Sequence, residues 1–151
     1  MIVEIVTTGT ELLLGQVVNT NSAYLANQLN KLGFDVLYHS TIGDNKKRMK
    51  ETLLLALARA DIVITTGGMG PTQGDITKEI TAEVLNRDLH LHKPSLANIE
   101  RYFAKVKRTM VESNIRQAMI PDSAVVLENY CGTAPGVVLE DNGKMIINLP
   151  G

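Results

Sequence analysis

The chain is 151 residues long, enough for one domain with one core, and 44% of its side chains are apolar, which excludes a disordered chain. With 15 basic against 16 acidic side chains the formal net charge is -1, so no bulk charge would drive it onto nucleic acid, although a local basic cluster would still serve one anionic ligand. Cys131 stands alone, which excludes an intrachain disulfide; the opening M-I-V-E-I-V lacks the basic head of a signal peptide, no apolar run would cross a bilayer, and a cytoplasmic protein is expected.

Ile2, Val3, Ile5 and Val6 read as a buried strand ending near Thr8, with one acid, Glu4, inside it. G-T-E-L-L-L-G follows, bounded by Gly9 and Gly15. Thr20, Asn21 and Ser22 offer N-cap oxygens for a helix whose apolar positions, Leu25, Leu29 and Leu32, recur at helical spacing, and Gly33 suits its left-handed C-cap. A second strand runs from Val36 to Ile42. A second helix starts near Asp44 and carries Met49, Leu53, Ala56, Leu57 and Ala60 on one face. Asp61 to Thr66 is a third strand, followed by T-G-G-M-G-P-T-Q-G-D and a third helix to about Asn86. Three strand–helix alternations with long crossovers predict parallel strands flanked by helices, an α/β fold in three layers. Pro94 opens a fourth helix with Leu96, Ile99, Phe103, Val106 and Met110 inward. Beyond Pro121 come short β-rich runs at Ala124–Leu127, Val137–Leu139 and Met145–Asn148, with turns at 131–136 and 141–143. A strand ending in L-P-G normally feeds another element, so a chain truncated at its C-terminal end, or the first module of a longer protein, is expected.

Ligands of open parallel sheets bind beyond the carboxyl ends of the strands, where the loops 8–15, 43–45 and 66–75 fall. Glycines 67, 68, 70 and 74 let backbone N–H groups converge beside a helix N-terminus, which makes an oxyanion cradle; the same glycines also serve a plain tight turn. The loop lacks the Gly-Lys-Ser/Thr ending of a P-loop, and its spacing is not the dinucleotide fingerprint. Asp75 beside a phosphate calls for a cation between them, magnesium being the common one, or else complements the helix dipole. Asp44 reads as the N-cap of the second helix or as the matching acid on the neighbouring loop. Lys46, Lys47 and Arg48 crowd the first turn of that helix, where the dipole disfavours cations; they form an anion-attracting rim or a solvated charge run. Glu11 is a third acid on the same edge. Glu79, one turn beyond Asp75, either supports that acid from behind or belongs to a solvated helix surface. His90 and His92 share a face if extended but complete no metal site, His39 reads as structural, and Cys131 has no base near it in sequence.

T-G-G-M-G-P-T-x-x-D-x-T, with G-D-N upstream and L-P-G downstream, resembles the molybdopterin-binding domain of molybdenum cofactor biosynthesis proteins. G-T-E-L-L-L-G-Q-V-V-N-T-N, T-T-G-G-M-G-P-T, R-Q-A-M-I-P and G-T-A-P-G together resemble the amino-terminal domain of the CinA family, the competence- and damage-inducible proteins, over residues 1–151. The resemblance implies an α/β/α sandwich with a mostly parallel sheet, of the molybdopterin-binding kind seen in MoaB and MogA, and a homo-oligomer. It implies that the glycine loop binds a pterin phosphate or nucleotide and that two important aspartates fall on Asp44 and Asp75. It further implies metal-dependent hydrolysis of ADP-ribose in CinA-type proteins, and a carboxy-terminal deamidase domain in longer relatives that lies outside this chain. The family often carries an acid directly before the loop aspartate, where this chain has Gly74.

On that basis Asp75 and Asp44 are the expected catalytic residues, and with Glu11 the expected ligands of a divalent metal. Gly9, Thr10 and Glu11 from the first loop, with Thr66, Gly67, Gly68, Gly70, Pro71 and Thr72 from the third, are the expected ligand-binding residues; Thr10 and Thr72 would donate to phosphate. The expected partner is a small phosphorylated ligand, ADP-ribose or a pterin, with no membrane and no direct nucleic-acid contact. Two alternatives stand beside hydrolysis: a molybdopterin-binding module, and a non-enzymatic partner in competence and DNA uptake.

Overall fold

The computed structural model describes all 151 residues. The strands β1 (Ile2–Thr8), β2 (Asp35–Ile42), β3 (Ile62–Thr66) and β8 (Lys144–Leu149) run parallel. β7 (Gly136–Asp141) adds antiparallel to β8, and β6 (Val125–Leu127) antiparallel to β7. The sheet order is β2-β1-β3-β8-β7-β6. The first helical turn, α1 (Thr10–Leu13), follows β1; the crossovers are α2 (Thr20–Lys31), α3 (Lys46–Arg59) and, after β3, α4 (Thr77–Val84). This is the expected three-layer α/β sandwich with a mostly parallel sheet.

β1 and β3 are covered on both faces, which is why they read as continuous apolar runs, whereas β2 lies at the sheet edge and is exposed at alternate residues. One face packs Val3, Ile62 and Ile64 against Leu25 and Leu29 of α2. The other packs Val6, Val63 and Ile146 against Met49, Leu53 and Ala56 of α3 and Ile80 of α4. Glu4, fully buried in β1, faces Arg59 in a two-pronged ion pair, Nε to Oε2 and Nη2 to Oε1, both at 2.8 Å. The Ser40 hydroxyl donates to Glu4 Oε1 at 2.7 Å.

The expected caps shift by one position. Asn19, not the Thr20–Ser22 trio, caps α2 by accepting from the Ser22 N–H at 3.1 Å. Asn45, not Asp44, caps α3 by accepting from the Arg48 N–H at 3.0 Å. In both cases the amide oxygen sits where the helix offers unpaired N–H groups. Gly33, at φ 83, ends α2 as expected: its N–H donates to Asn30 O and the Phe34 N–H to Leu29 O. The β7–β8 hairpin turns through Asn142 and Gly143, at φ 49 and 75, the turn that matches strand twist.

The fourth helix, α5 (Lys93–Lys105), departs from expectation. Pro94 is its second residue, and His92 caps it. It buries Ser95 and Ile99, while Val106 lies past its end and is exposed, because the chain turns at Lys107 with φ 54. A short ribbon of β4 (Leu89–Leu91) with β5 (Met119–Pro121), and a 3-10 helix over Glu112–Ala118, have no counterpart in the sequence pattern; each is too short for a period to show. They pack beside α5 and α4, with Ile120 against Val137 and Leu139. No helix is long and apolar enough to cross a membrane.

Candidate functional site

The carboxyl ends of β1, β3 and β8 open into a cleft of about 830 Å³, of a size suited to a nucleotide or cofactor. The glycine loop forms its floor through Thr66, Gly67, Gly68, Met69, Gly70 and Asp75. Glu11, Asn19 and Asn21 form one wall, and the segment from Leu127 to Ala134 forms the other. Asn129 braces that segment by donating to Ala134 O and accepting from the Cys131 N–H, both at 2.9 Å.

The loop is pinned from below. The Gly67 N–H donates to Leu149 O at 3.1 Å, the Thr77 N–H to Gly68 O at 3.1 Å, and the Thr77 hydroxyl to Gly67 O at 2.9 Å. Gly67 and Gly68 adopt φ 98 and 65, and a Cβ on either would collide, with the Thr8 carbonyl at 67 and the Thr77 hydroxyl at 68. The glycines are therefore demanded by sterics as well as by conformation. The N–H groups of Gly68, Met69 and Gly70 find no acceptor in the chain. Consecutive free amides on a loop leading into a helix make an anion-binding concavity.

The three acids take different stations. Asp75 lines the cleft beside Gly70; its Oδ2 accepts from the Thr72 N–H at 2.9 Å and from the Thr72 hydroxyl. Asp75 precedes α4 and does not cap it. Asp44 lies outside the cleft lining and is clasped by Thr10, whose hydroxyl donates to Asp44 Oδ2 at 3.1 Å and accepts from the Asp44 N–H at 3.2 Å. Both threonine hydroxyls expected to meet phosphate are thus turned to carboxylates. Asp44 faces Gly74, where a Cβ would come within 3.4 Å of its Cγ. An acid at position 74 would set a second carboxylate beside it. The Glu11 carboxylate folds over Gly9 at the cleft edge. No three His, Cys, Asp or Glu side chains gather closely enough to form a protein-only metal cage. Magnesium needs no such cage: it is commonly held by one or two carboxylates with phosphate oxygens, and Asp75 offers one such carboxylate beside amides suited to a phosphate.

Of the expected residues, Glu11, Thr66, Gly67, Gly68, Gly70 and Asp75 line one cleft. Gly9, Thr10, Asp44, Pro71 and Thr72 stand behind or beside it. Lys46 turns to Glu83 at 3.0 Å, which the Lys50 ammonium also meets at 2.7 Å; Lys46 therefore serves the α3–α4 surface. Glu79 is no open helix surface, since it pairs with Arg116 at 2.9 Å. Arg116 opens the R-Q-A-M-I-P motif, but no role for it is legible there; it also donates to Thr72 O at 2.6 Å and Asp75 O at 3.1 Å and so clasps the loop from the 3-10 helix. Lys78, buried, donates to the carbonyls of Arg116 and Gln117 at 3.2 and 2.8 Å, and burial lowers its ammonium to about 8. Among the histidines, His90 meets Asp122 at 2.8 Å and His39 meets the Ser22 hydroxyl at 2.7 Å.

A glycine cradle at the carboxyl ends of a mostly parallel sheet, inside an α/β/α sandwich, defines a molybdopterin-binding type of domain. Residues 4–151 match the family described as the probable molybdopterin binding domain. A CinA-like protein of Dictyoglomus thermophilum is 50% identical over 148 residues, covering 98% of this chain and 36% of its own length. A protein of Acetivibrio thermocellus named for competence-damage inducibility is 51% identical over 148 residues, with 98% and 36% covered. The chain thus spans about a third of the length of the curated relatives it matches. The crystal structure of the protein CinA from Thermoplasma acidophilum, titled as of unknown function, superposes with a TM-score of 0.92 at 33% identity, covering 100% of this chain and 89% of that one. MoaB of Thermus thermophilus, a molybdopterin biosynthesis enzyme, superposes at 0.64 with 24% identity over 99% of this chain and 80% of its own, a likeness of fold. The chain belongs to the molybdopterin-binding domain family, in its CinA branch.

Proposed function

We propose that the cleft binds the phosphate groups of a nucleotide or pterin, and that within the intact protein it supports metal-dependent hydrolysis of a nucleotide diphosphate sugar, ADP-ribose being the favoured substrate. The observation that carries this reading is the row of unpaired amides at Gly68, Met69 and Gly70, set in a cleft of nucleotide size with Asp75 at its edge. The amides would hold and orient the pyrophosphate. Asp75, aided by Asp44 or Glu11, would hold a divalent cation such as magnesium. When bound, such a cation polarises a phosphoryl oxygen and helps activate water. The remaining residues position: Thr72 fixes the Asp75 carboxylate and Thr10 fixes Asp44.

A second reading is favoured by the family match itself, a molybdopterin-binding module that holds its pterin without hydrolysing ADP-ribose. Calorimetric titration of the chain with ADP-ribose, with and without magnesium, separates the two. The first reading expects magnesium-dependent binding that Asp75→Asn abolishes. ADP-ribose binding indifferent to both magnesium and Asp75 would overturn it, and tight pterin binding with silent ADP-ribose would favour the second.

A further inference from the structure

We propose that the Thr8 hydroxyl is a ligand-binding group of the cleft, donating to a phosphoryl oxygen held by the amides of the glycine loop. This rests on the phosphate-binding reading given above and adds a residue to it. Thr8 ends β1, is 5% exposed and lines the cleft. Its Oγ1 has no hydrogen-bond partner in the chain. That oxygen lies directly beneath the cradle: a Cβ on either Gly67 or Gly68 would come within 2.8 Å of it.

The neighbouring hydroxyls make the contrast. Thr7 meets Thr41 at 2.9 Å and accepts from Asn19 at 3.0 Å. Thr66 donates to Pro150 O and accepts from Asn21, both at 3.3 Å. Thr65 accepts from Asn148 at 2.8 Å, and Thr77 donates to Gly67 O at 2.9 Å. Thr8 alone among these is left unsatisfied, and it is the one under the free amides. An unsatisfied buried hydroxyl destabilises a fold unless a partner arrives. A phosphoryl oxygen supplies that partner, and a hydroxyl donor to an anion is the stronger kind of hydrogen bond. The oxygen is closed off from solvent, with the backbone of Gly67 and Gly68 lying against it, so the contact requires the glycine loop to shift as the phosphate seats.

The test uses inorganic pyrophosphate with magnesium, titrated calorimetrically into the wild-type chain, Thr8→Val and Thr8→Ser. Valine keeps the β-branch and removes the hydroxyl; serine keeps the hydroxyl. Thr8→Val is expected to weaken pyrophosphate binding on the order of tenfold or more, with a thermal midpoint equal to or above wild type, because an unpaired polar atom has gone. Thr8→Ser is expected to bind within a few-fold of wild type. Unchanged affinity in Thr8→Val would overturn the role of Thr8 while leaving the phosphate reading in place. A lowered midpoint in Thr8→Val with no recovery of binding in Thr8→Ser would make Thr8 structural and also overturn it. No pyrophosphate binding by wild type would overturn both.

Discussion

Arg116 reaches back to Asp75 and holds its backbone carbonyl at 3.1 Å, while the same guanidinium holds Thr72 O at 2.6 Å. The turn that presents the Asp75 carboxylate is therefore braced from the 3-10 helix as well as from its own Thr72. Arg116→Leu should strip both carbonyls and Glu79 of their donor, at a cost of about 1–3 kcal/mol. Denaturant unfolding reads that cost. Amide hydrogen exchange should be faster at Thr72 and Asp75, the two amides of the turn that are hydrogen-bonded; protection unchanged there would mean that the turn holds itself.

Gly68→Ala forces a side chain onto φ 65 and into the Thr77 hydroxyl. The expected loss exceeds about 1 kcal/mol, and the free amides of the loop should shift enough to abolish phosphate binding. Gly143→Ala is the control. It meets the same kind of backbone, φ 75, in open space, so it should lose stability while ligand affinity stays as in wild type.

The Glu4–Arg59 pair is a buried carboxylate met by an arginine that lies over the Tyr38 ring, 4.1 Å from its centroid. Arg59→Met leaves the Glu4 charge without its partner inside the sheet, and such breakage is far costlier than replacing a whole pair. A drop of many degrees in thermal midpoint is expected. The double variant Glu4→Gln with Arg59→Met should recover part of it; a double variant as unstable as the single would contradict this account.

Lys78 sets a pH dependence with a definite sign. Burial lowers its ammonium from 10.5 to about 8 in the folded chain. Between about pH 8 and 10.5 the unfolded chain binds the proton that the folded chain has released. The contribution of this residue to stability therefore rises with pH through that window, and below it the cost of the buried charge is felt in full. Nitrogen NMR of the Lys78 ammonium should give a midpoint near 8. Lys78→Met should flatten the corresponding part of the stability profile. A midpoint among those of the exposed lysines would refute the effect of burial.

Much of this was legible in the residues. β1 and β3 announce themselves because both faces are buried, and the glycine loop because positive φ and crowding by Thr8 and Thr77 permit nothing larger at 67 and 68. The β7–β8 turn is visible in Asp-Asn-Gly. The caps were displaced because neighbouring polar residues compete for one geometry: Asn19 and Asn45 win over Thr20 and Asp44. Freed from capping, Asp44 is left to Thr10. What stayed hidden was contact across long stretches of chain. Arg116 on the loop and Lys78 on the 3-10 helix follow from how the 3-10 helix and β5 dock against α5 and α4, and no local period encodes that. Ribbon strands of three residues carry no pattern at all.

The tie between Gly67 and Leu149 also bears on the order in which the molecule is made. The cradle emerges from the ribosome early, yet the Gly67 N–H waits for a carbonyl on β8, and the Thr66 hydroxyl waits for that of Pro150, 84 positions downstream. Until β8 slides in beside β3, the nascent chain carries the glycine segment as a loose strand end. The β7–β8 hairpin, closing locally, must form or dock before any ligand finds its amides in place. The cradle is thus completed only once residues 144–150 have joined the sheet, and a nascent chain that has not yet reached β8 would carry every glycine of the loop without the strand that holds it.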